Sequence, residues 1–144
     1  MKEVKKHIQI LSEFSSLLRQ AGETRGFRCQ LWLGGTRRKS RYIVELSGSI
    51  NCLVYIHVRS KKPYHWGVTA NRIEEFRQSG KGWIIVLLYE TPETGYFLTS
   101  NDVNRYLSIW ALARDGDYKV QPGSYLQFNK PFNSFSEFID SLLG

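Results

Sequence analysis

Three ionisable side chains fall on two consecutive extended stretches of this sequence. Residues 51–59 alternate with period two, so Asn51, Leu53, Tyr55, His57 and Arg59 share one face, and Cys52, Val54, Ile56 and Val58 the other. Glu45 lies near the end of the preceding stretch, Tyr42–Leu46. If the two stretches pair, a carboxylate, an imidazole and a guanidinium are expected to converge, with Lys61 and Lys62 close by. Such a cluster suits a divalent ion held by Glu45 and stabilisation of charge developing on a phosphate. A hard ion such as Mg2+ takes several oxygen ligands, and Glu90 and Glu23 are the candidates for a second and a third carboxylate. Arg59 cannot act as a general base, because a guanidinium keeps its proton far above neutrality. An equally simple account pairs Glu45 with Arg59 across the strands and leaves His57 as a polar neighbour.

Charge supplies the second signal. The net charge of +7 is unevenly spread: residues 1–62 hold 13 Lys and Arg against 4 Asp and Glu, and residues 63–144 hold 7 against 9. That asymmetry implies a local positive field, not merely a soluble surface. Arg37, Arg38, Lys39 and Arg41 are its densest part, and Arg25, Arg28, Lys61 and Lys62 extend it. These side chains suit phosphate contacts that carry no base information. A solvated polar turn is the competing account of the 37–41 run. Gln30, Asn51 and Tyr55 are candidates for further groove contacts, and Tyr55, Tyr64 or Trp66 for stacking on unpaired bases. His65 beside Trp66 fits loop packing better than a site, and Trp32, Trp83, Trp110 and Phe135 fit core anchors.

Several chemistries find no support. Cys29 and Cys52 form no CxxC pair and the three histidines complete no zinc set, so buried free thiols are expected. GGTRRKS lacks the length of a phosphate-binding loop, and Gly80-Lys81-Gly82 precedes a strand where such a loop would open a helix. No apolar run approaches membrane-spanning length, no cleavable apolar leader follows the early lysines, and a cytoplasmic location is expected.

The elements that must position these residues follow from periodicity. Apolar residues at Val4, Ile8, Leu11, Phe14 and Leu18 predict a helix over 4–20, ended by Gly22. Phe27–Leu33, Tyr42–Leu46 and Cys52–Val58 predict three strands joined as an antiparallel meander. A helix capped by Thr69 or Asn71 carries Ile73 and Phe76 inward. Trp83–Tyr89 is almost continuously apolar, the pattern of a central strand covered on both faces. A short strand Tyr96–Leu98 and a helix bearing Val103, Tyr106, Leu107 and Trp110 come next. Then follow edge strands at Tyr118–Val120 and Tyr125–Phe128, and a last helix capped by Ser134 with Glu137. The expectation is a single α/β domain over 1–144, with a mixed central sheet flanked by helices, a core over 4–89 and an extension over 90–144.

The order helix, three strands, helix, strand resembles the core of the restriction-endonuclease-like PD-(D/E)xK superfamily. In that superfamily a metal-binding acid sits on or near the second strand, and the next carries an acid-x-lysine motif. Laid on this chain, Glu45 matches the first acid, and His57-Val58-Arg59 takes the place of the motif. Histidine replaces its carboxylate and arginine its lysine. The resemblance implies a DNA-associated protein of restriction or repair with Mg2+ as cofactor. Such a protein is either an endonuclease using Glu45, His57 and Arg59 or a degenerate scaffold kept for binding. The aromatic C-terminal half would suit a homodimer. An RNA-binding module and a subunit recognising an acidic protein partner are the alternative classes.

Overall fold

The computed structural model describes residues 2–32, 42–110, 112–126 and 129–144. Helix α1 spans Lys2–Arg25 and leads into strands β1 (Phe27–Leu31), β2 (Ile43–Gly48) and β3 (Cys52–Arg59). Strand β4 (Trp66–Thr69), helix α2 (Ala70–Gln78) and strand β5 (Trp83–Tyr89) follow. Strand β6 (Gly95–Thr99), helix α3 (Ser100–Tyr106), strand β7 (Asp117–Val120), a 3-10 turn (Gly123–Leu126) and helix α4 (Phe135–Leu143) complete the order.

The main sheet runs β1-β2-β3-β5-β6, antiparallel except for the central β3–β5 pair, which is parallel. Alternation sends the two faces of β3 into two cores. Leu53 and Tyr55 join Ile73, Phe76, Ile85 and Leu87 under α2, α3 and the small β4–β7 sheet. Val54 and Ile56 join Phe14, Leu18, Val86, Leu88 and Phe138 under α1 and α4. Six of the seven residues of β5 are buried, as a strand with both faces covered requires. The mixed sheet flanked by helices and the antiparallel meander of β1–β3 are as the sequence predicts. Helix, three strands, helix and strand occur in that order, with β4 inserted before α2.

Local departures have local causes. Helix α1 runs through Gly22 and ends at Gly26, whose φ of 85° breaks it. Gly22 serves packing instead: a Cβ there would lie 2.2 Å from the Phe27 carbonyl oxygen. The buried stripe of α1 is Ile10, Leu11, Phe14 and Leu18, and Ile8 faces outward. Thr69 flanks α2 without a side-chain cap, whereas Thr99 and Asp102 form a reciprocal capping box on α3. Residues 123–126 wind into a 3-10 turn where a strand over 125–128 is expected, and 127–128 lie outside the described residues. Ser134 caps α4 through the Glu137 N–H, and the Glu137 carboxylate accepts from the Asn133 N–H. No helix among the described residues is long and apolar enough to cross a membrane.

Candidate nucleic-acid interface

Strand register decides which of the chemically capable residues meet. Glu45 is paired with Leu53 across β2 and β3, so His57 and Arg59 lie four and six residues farther along β3. At about 3.3 Å per residue, that places them roughly 13 and 20 Å away along the strand. The expected cluster of Glu45, His57 and Arg59 is therefore not formed. The three share a face of the sheet, but Glu45 stands at one end and Arg59 at the other.

Glu45 is engaged at its own end. Its Oε2 lies 2.8 Å from Lys81 Nζ, with the glutamate side chain 20% exposed and the lysine 48%. They line a recess of about 430 Å³ with Ser47, Asn51 and Gly82. Asn51 closes the β2–β3 turn by bonding both the N–H and the carbonyl of Gly48. Among the described residues no three His, Cys, Asp or Glu side chains gather to hold a metal. Glu90, the expected second carboxylate, is beyond Tyr89, the residue paired with Arg59 at the far end of the sheet. Glu23 is exposed on the last turn of α1. One carboxylate already paired with an ammonium does not fit the several oxygen ligands of Mg2+.

His57 is half-buried as a residue. Its Nε2 is buried without a hydrogen-bond partner among the described residues, and its ring lies 4.1 Å from that of Tyr55. Burial drives its pKa down to about 3, because a charged imidazole there would lose its hydration. It stays neutral near pH 7 and cannot deliver a proton as a general acid. Tyr55 is itself buried, 5.5 Å from the Phe76 ring, and is no groove contact.

The opposite end, where the parallel strands β3 and β5 finish, has a different character. Arg59 Nε donates to the carbonyls of Lys61 and Pro63 at 3.2 and 3.1 Å, folding the β3–β4 connection back over the strand end. Lys61, Lys62 and His65 on that connection are exposed. The His65 pKa is lowered by partial desolvation and then by the positive charges of Arg59 and Lys119. Just past β5, the Glu90 N–H donates to the Arg59 carbonyl at 2.8 Å, with Glu90 at φ 67°. A non-glycine residue held in that left-handed region costs about 1–2 kcal/mol. The Glu90 carboxylate accepts from the Tyr64 hydroxyl, which pushes the tyrosine pKa up to about 12. The outward ends of parallel strands are where open α/β sheets ordinarily place ligands.

The remaining basic residues divide between the two ends. Arg28 is paired with Ser47, at the Glu45 end, and Arg25 on the last turn of α1 bonds Asp140 at 3.1 Å. Both are thus separated from Lys61 and Lys62. Arg37, Arg38, Lys39 and Arg41 lie outside the described residues. Gln30 is exposed on β1, opposite Glu45. Trp66 is 2% exposed and packs in the core, as do Trp32, Trp83 and Trp110. Cys29 and Cys52 are free thiols. Sequence reasoning missed Tyr89, Tyr96 and Lys119. Two tyrosines bracketing the Thr91–Gly95 turn of an antiparallel pair were the available signal for the first two.

No family model matches the chain, and no curated protein matches it. Among solved structures it is similar to a Holliday junction resolvase from the archaeal hyperthermophile Archaeoglobus fulgidus. The identity is 13%, the TM-score 0.49, and the match covers 88% of this chain and 98% of that one.

Proposed function

We propose that this protein binds nucleic acid, DNA foremost, at the sheet end where β3 and β5 finish, as a nuclease-like scaffold that holds its ligand without cutting it. The observation that carries this reading is the gathering of Arg59, Lys61 and Lys62 at that end, with Lys119, ion-paired to Asp115 at 2.9 Å, close enough to act on His65. The His65 pKa is lowered first by desolvation and then by Arg59 and Lys119. Lysine and arginine there neutralise phosphates and release condensed counterions.

The other end of the sheet supports binding without hydrolysis. Glu45 is tied to Lys81 and far from His57, and among the described residues no second Asp or Glu lines its recess. An arginine and a deeply desolvated histidine supply neither a base for water nor ligands for a hard cation. The test is a binding titration of the full chain with labelled DNA from about 50 to about 300 mM salt. Affinity is expected to fall steeply, and the slope of log K against log salt to shrink by about 1–2 in Lys61→Gln/Lys62→Gln. An affinity indifferent to salt, or no binding at low salt, overturns the reading.

A further inference from the structure

The end of the sheet that carries the cations also carries a layered set of aromatic rings. Trp66 forms its floor: it is buried, and its Nε1–H donates to the Leu88 carbonyl at 3.0 Å. Tyr89 and Tyr96 rest against it, their ring centroids 6.4 and 6.1 Å from the indole and 6.1 Å from each other. Tyr64 forms the top layer, stacked on Tyr89 at 4.8 Å with 28° between the planes. All three tyrosines are only partly buried. The hydroxyl of Tyr64 is anchored on Glu90, which fixes the ring instead of leaving it to swing. Lys62 Nζ lies 5.9 Å from the Tyr64 centroid, so a cation accompanies the outermost ring.

From this arrangement we infer that the cluster is a stacking platform for an unpaired nucleotide, with Tyr64 as the ring that meets the base. The inference rests on the nucleic-acid reading above and specifies the ligand. A base inside a duplex has both faces covered by its neighbours, so only an unpaired base offers a face to a tyrosine. The cations on the β3–β4 connection can hold the phosphates that flank such a base. Glu90, bonded to the Tyr64 hydroxyl, places a negative charge at that edge of the ring and so disfavours phosphate there. A patch made only of lysines and arginines would favour the denser charge of duplex DNA. The tyrosines reverse that preference.

Fluorescence anisotropy of the full chain with a labelled oligo-dT and with a blunt duplex of equal length tests the inference. The single strand is expected to bind more tightly. Tyr64→Ala is expected to cost about tenfold in single-strand affinity and distinctly less in duplex affinity, and Tyr64→Phe to keep most of both. Thermal melting of each variant separates lost stacking from lost folding. Equal affinity for the two ligands, or tighter duplex binding, with Tyr64→Ala folded and unaltered, overturns the platform and leaves nucleic-acid binding standing. Absence of binding to either ligand at low salt overturns both.

Discussion

Burial without a partner gives His57 a measurable signature. Its folded pKa is pushed down to about 3, against about 6.5 for a solvated imidazole. Above pH 6.5 the side chain is neutral in both the folded and unfolded chains, and its full contribution to stability is present. As pH falls below 6.5 the unfolded chain takes up a proton that the folded chain refuses, so stability declines by about 1.4 kcal/mol per pH unit. Urea unfolding at pH 7 and pH 5 is expected to show a loss of about 2 kcal/mol that His57→Leu abolishes. His65 also has a lowered pKa and titrates with the same sign, so the variant, not the wild-type slope alone, assigns the effect. His57→Leu is also expected to be at least as stable as wild type at pH 7, since it removes an unsatisfied buried nitrogen. Equal pH dependence in the two proteins contradicts a desolvated His57. Glu45 makes the complementary point: a residue type suited to metal binding says little until its neighbours are known, and its neighbour here is Lys81.

Which neighbours a residue meets is decided at the scale of elements. The alternation in 51–59 put His57 and Arg59 on one face, to which the strand register adds Glu45, and the central strand 83–89 was legible from its unbroken apolar run. The distance along the strands was legible too. Two residues that each lie near the C-terminal ends of consecutive antiparallel strands must stand at opposite ends of the sheet. Strand β4 was hidden because Trp66–Thr69 is four residues long and pairs with β7, some fifty residues later. Gly22 misled because glycine ordinarily marks a helix end, whereas here the helix passes through it so that Phe27 can approach. Helix propensity alone predicts that Gly22→Ala stabilises the chain by about 1 kcal/mol. The 2.2 Å approach of the Phe27 oxygen to the new Cβ predicts the opposite, a loss of about 2 kcal/mol or more in chemical denaturation. A stabilised variant contradicts this packing of α1 on β1.

Across the whole molecule, the basic residues that the structure describes between 25 and 62 divide between two ends of the sheet. Arg25 and Arg28 belong to the Glu45 end of the sheet, and Arg59, Lys61 and Lys62 to the end where β3 and β5 finish. Composition could report the excess of charge but not this division, because the chain reverses direction between 28 and 59. The division gives the location of binding its most direct test. Lys61→Glu/Lys62→Glu and Arg25→Glu/Arg28→Glu change the net charge equally, so a purely global attraction to DNA falls by the same amount in both. Titrating the two variants and the wild type with one labelled DNA at one salt concentration separates place from charge. The 61/62 variant is expected to lose at least about tenfold in affinity and the 25/28 variant distinctly less. Equal losses, or a greater loss in the 25/28 variant, contradict the interface at the β3–β5 end.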